Sequence, residues 1–144
     1  MTKSPTERPL GLQLRVLRPD PLGGPPVMGP GKADLLEGIR ETGSIAAAGR
    51  RMGMSYKRAW FLVEAMNDSF RAPLVEASKG GTGGGRAVLT ALGVTVLTAY
   101  RRLEQLAAET GTAELAAIRE ALAPQPEGQP AAAPEADQPK PAAP

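Results

Sequence analysis

The pattern of apolar and polar residues predicts a strand near the start of the chain. In "LGLQLRVLRP", apolar side chains fall on every second position, which is typical of a strand with one buried face. The alternating residues are Leu10, Leu12, Leu14 and Val16. The next twelve residues, "DPLGGPPVMGPG", hold four prolines and four glycines and therefore predict a loop.

Helical periodicity follows this loop and predicts three helices in close succession. The segment "KADLLEGIRET", from Lys32 to Thr42, places its large apolar residues on one face and ends at Gly43. Ser44 is a suitable N-cap for a short helix, "SIAAAGRRMG", which Gly53 ends. A third helix, "SYKRAWFLVEAMNDSF", opens at Met54 and Ser55. Its apolar stripe consists of Ala59, Leu62, Val63, Met66 and Phe70.

The second half of the chain predicts a hairpin and a long helix. Two short strand-like segments, "PLVEAS" and "AVLT", flank a glycine-rich stretch and therefore predict a β-hairpin. A long helix then begins near Thr90, and residues 111–122 add one more helical segment. The long helix carries a heptad-like apolar seam that suits a partner helix, so we expect a dimer. The residues assigned to dimerisation are Leu92, Val96, Tyr100 and Leu103, and the seam continues to Ala107.

Composition narrows the range of functions. The 144 residues include no cysteine and no histidine, which excludes disulfides, zinc-finger ligands, cysteine nucleophiles and Ser–His triads. Residues 1–110 hold 15 Lys and Arg against 10 Asp and Glu, whereas residues 111–144 hold 2 against 5. A basic folded part with an acidic tail is compatible with a polyanionic partner. The sequence shows no membrane-spanning run and no signal peptide, so we expect a cytoplasmic protein.

The predicted order of elements divides the chain into four parts. Residues 1–9 are expected to be flexible, and residues 10–110 to form one mainly α-helical domain with a small β-hairpin. Residues 111–122 are expected to form a short helix. Residues 123–144 are 7 prolines and 7 alanines among 22 residues, which predicts a disordered tail. The domain has the element order of a winged helix–turn–helix, with an N-terminal strand and a long C-terminal dimerisation helix.

In a helix–turn–helix, the second helix enters the major groove of DNA by its N-terminal end. That end of the third predicted helix carries two hydroxyl groups and two cations, each suited to phosphate or base-edge contact. Trp60, one turn further on, is expected to be half-buried or in the core. The N-terminus of the preceding helix has free backbone N–H groups that could bind a phosphate, and the two arginines at its other end could approach the DNA backbone. The predicted DNA-binding residues on these helices are Ser44, Arg50, Arg51, Ser55, Tyr56, Lys57 and Arg58.

The glycine-rich segment "EASKGGTGGGRAVLT" could serve either a nucleotide phosphate or a DNA backbone. A P-loop requires Lys and then Ser or Thr after its last glycine, but Arg86 and Ala87 follow Gly85 here. The segment also leads into a predicted strand rather than a helix. Lys79 and Arg86 at its two ends would place positive charge beside a flexible loop, as a wing on the DNA backbone requires.

Four segments give the chain a resemblance to a known family. They are "TGSI" at 42–45, "GMSYKRAW" at 53–60, "EAMN" at 64–67 and "GGTGGGRAVLT" at 80–90. Together they closely resemble the N-terminal DNA-binding domain of molybdate-responsive transcriptional regulators of the ModE type. The helix–turn–helix alone also resembles that of LysR-type regulators. The resemblance implies a homodimer that binds double-stranded DNA and is joined through the N-terminal strand and the long helix.

The chain departs from this family after the long helix. Full-length members continue into β-rich domains that bind molybdate, whereas this chain continues into the Pro/Ala-rich tail. We therefore expect a stand-alone DNA-binding form that uses no cofactor and no metal and does not bind molybdate. Any effector response is expected to come through a separate effector-binding protein.

Two other classes of function compete with a DNA-binding regulator. A winged helix can act as a dimerisation or protein-interaction module without significant DNA affinity. An enzyme with a phosphate site in the glycine-rich loop is the third class, and nucleotide turnover would be its only support. DNA binding that weakens with salt would separate the first class from the second.

Overall fold

A computed structural model describes residues 11–19, 24–78 and 85–124. It confirms a mainly helical domain with one antiparallel hairpin, in which Val75 pairs with Leu89 and Ser78 with Arg86. The helices are α1 (Pro30–Thr42), α2 (Ile45–Arg51), α3 (Tyr56–Ser69), α4 (Ala91–Thr110) and α5 (Thr112–Ala121), and the strands are β1 (Val75–Ser78) and β2 (Arg86–Leu89). Residues 1–10, Lys79 with the glycine-rich loop to residue 84, and the tail from residue 125 lie outside the described ranges.

Hydroxyl side chains cap three of the helices, at the residues where the sequence predicts these helices to begin. The Ser44 Oγ accepts a hydrogen bond from the backbone N–H of Ala47 at 3.1 Å, and the Ser55 Oγ accepts one from Arg58 at 3.2 Å. The Thr90 Oγ1 caps α4 in the same way. Each cap satisfies a backbone donor that the first helical turn leaves free.

Two glycines in the left-handed region make the turns between the first three helices. Gly43 has φ 71° and ends α1, and Gly53 has φ 69° between α2 and α3. Residues with a Cβ rarely adopt this conformation. The short turns bring α2 back against α1 and set α3 across it, which is the helix–turn–helix arrangement.

The core lies where α1, α2, α3, the hairpin and α4 meet. Its largest fully buried side chains are aliphatic or methionine, as the low aromatic content predicts. They are Met28, Leu35, Leu36, Ile39, Val63, Met66, Leu74 and Leu97. Within the described ranges, none of the helices combines the length and hydropathy of a membrane-spanning helix.

The predicted N-terminal strand is reduced to a single bridge in the described part of the chain. Val16 pairs with Met28, whose carbonyl accepts from the Val16 N–H at 2.9 Å. Leu12 is 45% exposed and Val16 37% exposed, so of the predicted buried face only Leu14 packs against the core within the described residues. A strand needs a ladder of backbone partners, and the segment opposite Val16 offers only residues 27 and 28 before α1 begins. Leu10 lies outside the described residues.

The inward face of α4 also differs from the predicted seam. Leu97 and Tyr100 are buried, Leu92 and Val96 are partly buried, and Leu103 is exposed. Sequence analysis assigned Tyr100 to a partner helix, yet its ring packs in the core of its own chain. The sequence alone could not identify Leu97 as a buried residue, because the burial of a residue on α4 depends on which elements pack against that helix.

Tyr100 ties the N-terminal segment to α4. Its hydroxyl donates a hydrogen bond of 2.7 Å to the carbonyl oxygen of Leu14. Burial of the ring, and next the negative charge of Glu104, raise the pKa of Tyr100 to about 12. The phenol therefore stays protonated and keeps this hydrogen bond over the physiological pH range.

An arginine on α4 joins three carboxylates. The Arg101 guanidinium lies 2.7 Å from Asp34, 2.8 Å from Glu37 and 2.9 Å from Glu104. Burial alone would lower the pKa of Arg101, but the hydrogen bonds to Asp34 and Glu104 and the charge of Glu37 outweigh it and raise that pKa. The network links α1 to α4 across the surface of the core.

The first turn of α4 touches the backbone just before the hairpin. A Cβ built on Gly93 would lie 2.1 Å from the carbonyl oxygen of Leu74. That distance is well inside van der Waals contact, and the obstacle is backbone. Gly93 is therefore the residue that allows α4 to approach Leu74.

We expect Gly93→Ala to destabilise the protein by about 1–3 kcal/mol, because α4 must move away from Leu74. Alanine would otherwise favour the helix by about 1 kcal/mol over glycine. Gly31→Ala in α1 is the matched control, since no atom lies within 4 Å of its added Cβ. Urea unfolding of both variants measures the difference. An unfolding midpoint for Gly93→Ala equal to that of Gly31→Ala would contradict the close contact.

Candidate nucleic-acid interface

One cleft is lined by residues from the helix–turn–helix and from the hairpin. It has a volume of about 800 Å³ and lies between the α1–α2 turn, the first turns of α3 and the paired ends of β1 and β2. Cations enter it from two sides, Arg50 from α2 and Arg86 from β2, and the Tyr56 and Trp60 rings line it from α3. The cleft is therefore both basic and aromatic, a combination suited to nucleic acid.

The two arginines predicted at the end of α2 have different surroundings. Arg50 is exposed and lines the cleft. Arg51 turns to α1, where its Nη1 lies 2.7 Å from the Glu41 Oε2. Because consecutive residues on a helix point about 100° apart, only one of the pair faces the cleft.

The two serines predicted to contact DNA serve first as helix caps. Ser44 lines the cleft, but its Oγ accepts from Ala47 and its backbone N–H donates to the Thr42 Oγ1 at 3.2 Å. The Ser55 Oγ accepts from Arg58. Each hydroxyl therefore accepts a hydrogen bond that fixes where α2 or α3 begins, and its own O–H can still donate to a phosphate.

The N-terminal end of α3 presents exposed polar and aromatic groups. Tyr56 is 57% exposed, and Trp60 is half-buried, as predicted. Their ring centroids lie 6.2 Å apart with an interplanar angle of 81°, an edge-to-face contact that steadies both rings. Lys57 is exposed and Arg58 partly buried, and neither forms an ion pair with another described residue.

Phe61 is a residue of this surface that sequence analysis missed. Its side chain is 56% exposed on α3, while Ala59 and Val63 on either side of it in sequence are buried. It lies four residues after Lys57, so both project from the same face. The available signal was that Phe61 falls out of phase with the apolar stripe of α3.

Asn67 holds the hairpin against α3. Its Oδ1 accepts from the backbone N–H groups of Leu74 at 2.9 Å and Val75 at 3.1 Å, and its Nδ2 donates to the Val75 carbonyl at 3.1 Å. One side chain thus satisfies three backbone groups where the chain enters β1. On the other side, the N–H of Ala87 donates to the Gly43 carbonyl at 2.9 Å and fixes β2 against the α1–α2 turn.

The hairpin supplies one described cation to the cleft. Arg86 is exposed at the start of β2. Lys79, its predicted counterpart across the glycine-rich loop, lies outside the described residues. Within the described ranges, no group of three or more Asp, Glu, His or Cys residues is placed to hold a metal ion.

Comparison with known proteins finds relatives over the region that forms this surface. The chain is 49% identical over 77 residues to the molybdenum-pterin-binding protein MopB of Rhodobacter capsulatus, covering 54% of this chain and 28% of that protein. It is 40% identical over 77 residues to the DNA-binding transcriptional dual regulator ModE of Escherichia coli K12, covering 54% and 29%. The chain therefore spans less than a third of the length of these curated relatives.

Among solved structures, the crystal structure of a CbnR DNA-binding domain in complex with DNA is similar at a TM-score of 0.48 and 27% identity, covering 61% of this chain and 95% of that one. No protein-family model matches the chain. The curated relatives are named as transcriptional regulators or as molybdenum-binding or transport proteins, and none of these names is that of an enzyme.

We expect Asn67→Ala to lower the free energy of unfolding by about 1–3 kcal/mol, because it leaves partly buried backbone groups without partners. Asn67→Asp is the informative comparison. A carboxylate still accepts from the Leu74 and Val75 N–H groups but cannot donate to the Val75 carbonyl, so its effect should be smaller at neutral pH. Chemical unfolding monitored by Trp60 fluorescence tests both variants. Equal losses for alanine and aspartate would show that the two accepted hydrogen bonds do not hold the hairpin.

Proposed function

We propose that this chain is a sequence-specific DNA-binding transcriptional regulator. The N-terminal end of α3 lies in the major groove, and the hairpin acts as a wing on the phosphate backbone. The observation that carries the proposal is the convergence of Arg50 and Arg86 with the exposed end of α3 around one cleft.

Charge and shape both favour DNA at this surface. Neither Arg50 nor Arg86 forms an ion pair with another described residue, so both are available to neutralise phosphates and release counterions. The major groove of B-DNA, about 12 Å wide, admits one α-helix. The exposed first turn of α3 offers Tyr56, Lys57 and Arg58 to base edges or phosphates.

The curated relatives support the same reading. The E. coli relative is named as a DNA-binding transcriptional regulator, and 77 residues of this chain match it. The motifs "GMSYKRAW" and "TGSI" that carry the resemblance lie on α3 and at the start of α2, which both border the cleft. We extend that function to this chain because the surface that would perform it is assembled here.

The alternative is a protein-interaction module without DNA affinity. It is favoured by apolar side chains exposed on α4, on α5 and at the C-cap of α5. They are Val94, Leu103, Leu106, Ile118 and Leu122. The two functions differ in their response to salt, because phosphate binding weakens steeply as salt rises and apolar contact does not.

We further propose that the regulator is a homodimer joined through α4. Leu92, Val96, Leu103 and Leu106 lie within one face of the helix when each residue advances about 100°, and we call this the α4 seam. It differs from the predicted seam in including Leu106 and in omitting Ala107 and the buried Tyr100. Leu103 and Leu106 are 49% and 40% exposed, so this face has apolar area left for a second copy.

Arg50→Ala should reduce the salt dependence of DNA binding more than Arg51→Ala. Each lost phosphate contact lowers the slope of log K against log salt by about 0.9, and Arg51 is engaged with Glu41 instead. Fluorescence anisotropy with a labelled random-sequence 30-bp duplex, titrated at several salt concentrations, measures both slopes. Equal slopes for the two variants would contradict the assignment of Arg50 to the interface. Wild-type protein that binds no duplex at low salt would favour the interaction module.

Leu103→Glu combined with Leu106→Glu should shift the protein from dimer to monomer, because two charges would enter the apolar contact. Both side chains are exposed, so the fold should persist. Thr98→Glu combined with Gln105→Glu adds the same charge on another face of α4 and is the control. Sedimentation velocity at micromolar concentration distinguishes the species. A monomeric wild type, or a dimer that survives Leu103→Glu and Leu106→Glu, would rule out the α4 seam.

A further inference from the structure

The outward face of α3 changes character along its length. Lys57 stands near its N-terminal end, Phe61 in the middle, and Glu64 and Asp68 follow, all exposed. These positions are spaced four, three and four residues apart and share the face opposite Ala59, Val63 and Met66 of the core. The face therefore runs from positive through apolar to negative.

This order limits how far a polyanion can follow the helix. With a rise of about 1.5 Å per residue, Phe61 lies about 6 Å along the axis from Lys57 and about 4.5 Å from Glu64. Phosphates are attracted near Lys57 and repelled near Glu64 and Asp68. Only the first turns of α3 can thus be inserted, and Phe61 marks the inner limit of that insertion.

The fold itself makes little use of the Phe61 ring. More than half of its surface is exposed, and it is not among the side chains that pack against the core. A single exposed apolar residue is ordinary on a protein surface. What sets this one apart is its place beside Lys57 on the surface proposed to meet DNA.

Base edges in the major groove present donors, acceptors and one kind of apolar group, the C5-methyl of thymine. A phenyl ring set against a donor or acceptor would desolvate that group without replacing its hydrogen bond. The same ring against a methyl buries apolar surface on both sides. Phe61 is therefore suited to a thymine and unsuited to the other bases at that position.

We infer that Phe61 is a specificity-determining residue that contacts the C5-methyl group of a thymine in the major groove. The inference rests on the proposed function, because it requires α3 to lie in that groove. It goes further by assigning one base and one chemical group to one side chain. Lys57 and Arg58 can be satisfied by any phosphate, whereas Phe61 cannot.

Removal of the thymine methyl tests this contact directly. Wild-type protein is first used to enrich duplexes from a random 30-bp pool, and the enriched duplex is resynthesised with deoxyuridine in place of each thymidine in turn. Deoxyuridine pairs as thymidine does and differs by the missing methyl. We expect wild-type affinity to fall about fourfold at one position of each binding site, the effect of about 0.8 kcal/mol for one methyl.

Phe61→Ala supplies the second half of the test. It should weaken binding to the thymidine duplex by about tenfold and abolish the difference between thymidine and deoxyuridine at that position, since two changes to one contact are not additive. Ile118→Ala on α5, another exposed apolar truncation, should leave both affinities unchanged. Phe61→Leu, which keeps an apolar group, should retain part of the thymidine preference. Because Phe61 is exposed, unfolding midpoints should match the wild type.

The outcomes separate this inference from the function on which it rests. Wild-type protein that enriches no duplex would overturn the regulator proposal, and the Phe61 contact with it. Salt-dependent binding to an enriched duplex that tolerates deoxyuridine at every position would overturn the Phe61 contact alone. The same result follows if Phe61→Ala keeps the full deoxyuridine effect, because another residue would then contact the methyl.

Discussion

Leu74 connects α3 to α4 just before the hairpin begins. Its side chain is fully buried, its N–H donates to Asn67 on α3, and its carbonyl accepts from Thr90 at the start of α4 at 2.9 Å. Gly93 leaves room for that carbonyl where any side chain would collide with it. One residue is thus held by side-chain packing, by two hydrogen bonds and by steric fit.

The cleft depends on this junction because β1 begins one residue later. With Leu74 fixed, Val75 pairs with Leu89 and the register of the hairpin is set. The Ala87 N–H then reaches the Gly43 carbonyl, so β2 rests against the turn before α2. Arg86 and Arg50 come to line the same cleft through contacts made by backbone atoms, by buried side chains and by the partly buried Asn67. The exposed residues that would meet DNA bear little of the structural constraint themselves.

Sequence analysis was most successful where structure is decided locally. The cap at Ser44, the helix starts at Ser55 and near Thr90 and the turns at Gly43 and Gly53 each depend on a few neighbouring residues, and the structure confirms them. Of the residues predicted to contact DNA, the structure brings Ser44, Arg50, Tyr56 and Arg86 to one cleft, and their contact with DNA stays a prediction. Whether Arg50 or Arg51 faces the cleft could not be predicted, because Glu41 competes for Arg51 only once α1 and α2 are packed.

Contacts between distant parts of the chain account for the rest. The N-terminal alternation predicted a strand, but pairing needs a neighbour that this part of the chain supplies only at Met28. The periodicity of α4 fits several adjacent faces, and only tertiary packing selects Leu97 and Tyr100 as the inward ones. In the sequence, Asn67 was noted only as the last residue of the segment "EAMN". Its role follows from the approach of residues 74 and 75, which no local pattern encodes.

The close approach of Gly93 to Leu74 also has a thermodynamic consequence. Because α4 touches the backbone that leads into β1, a displacement of α4 cannot leave the hairpin where it is without opening that contact. A ligand in the cleft that moved the hairpin through this contact would therefore also act on the position of α4. Coupling of this kind is reciprocal. If a ligand in the cleft favours one position of α4 by a given free energy, a partner bound to α4 in that position favours binding in the cleft by the same amount.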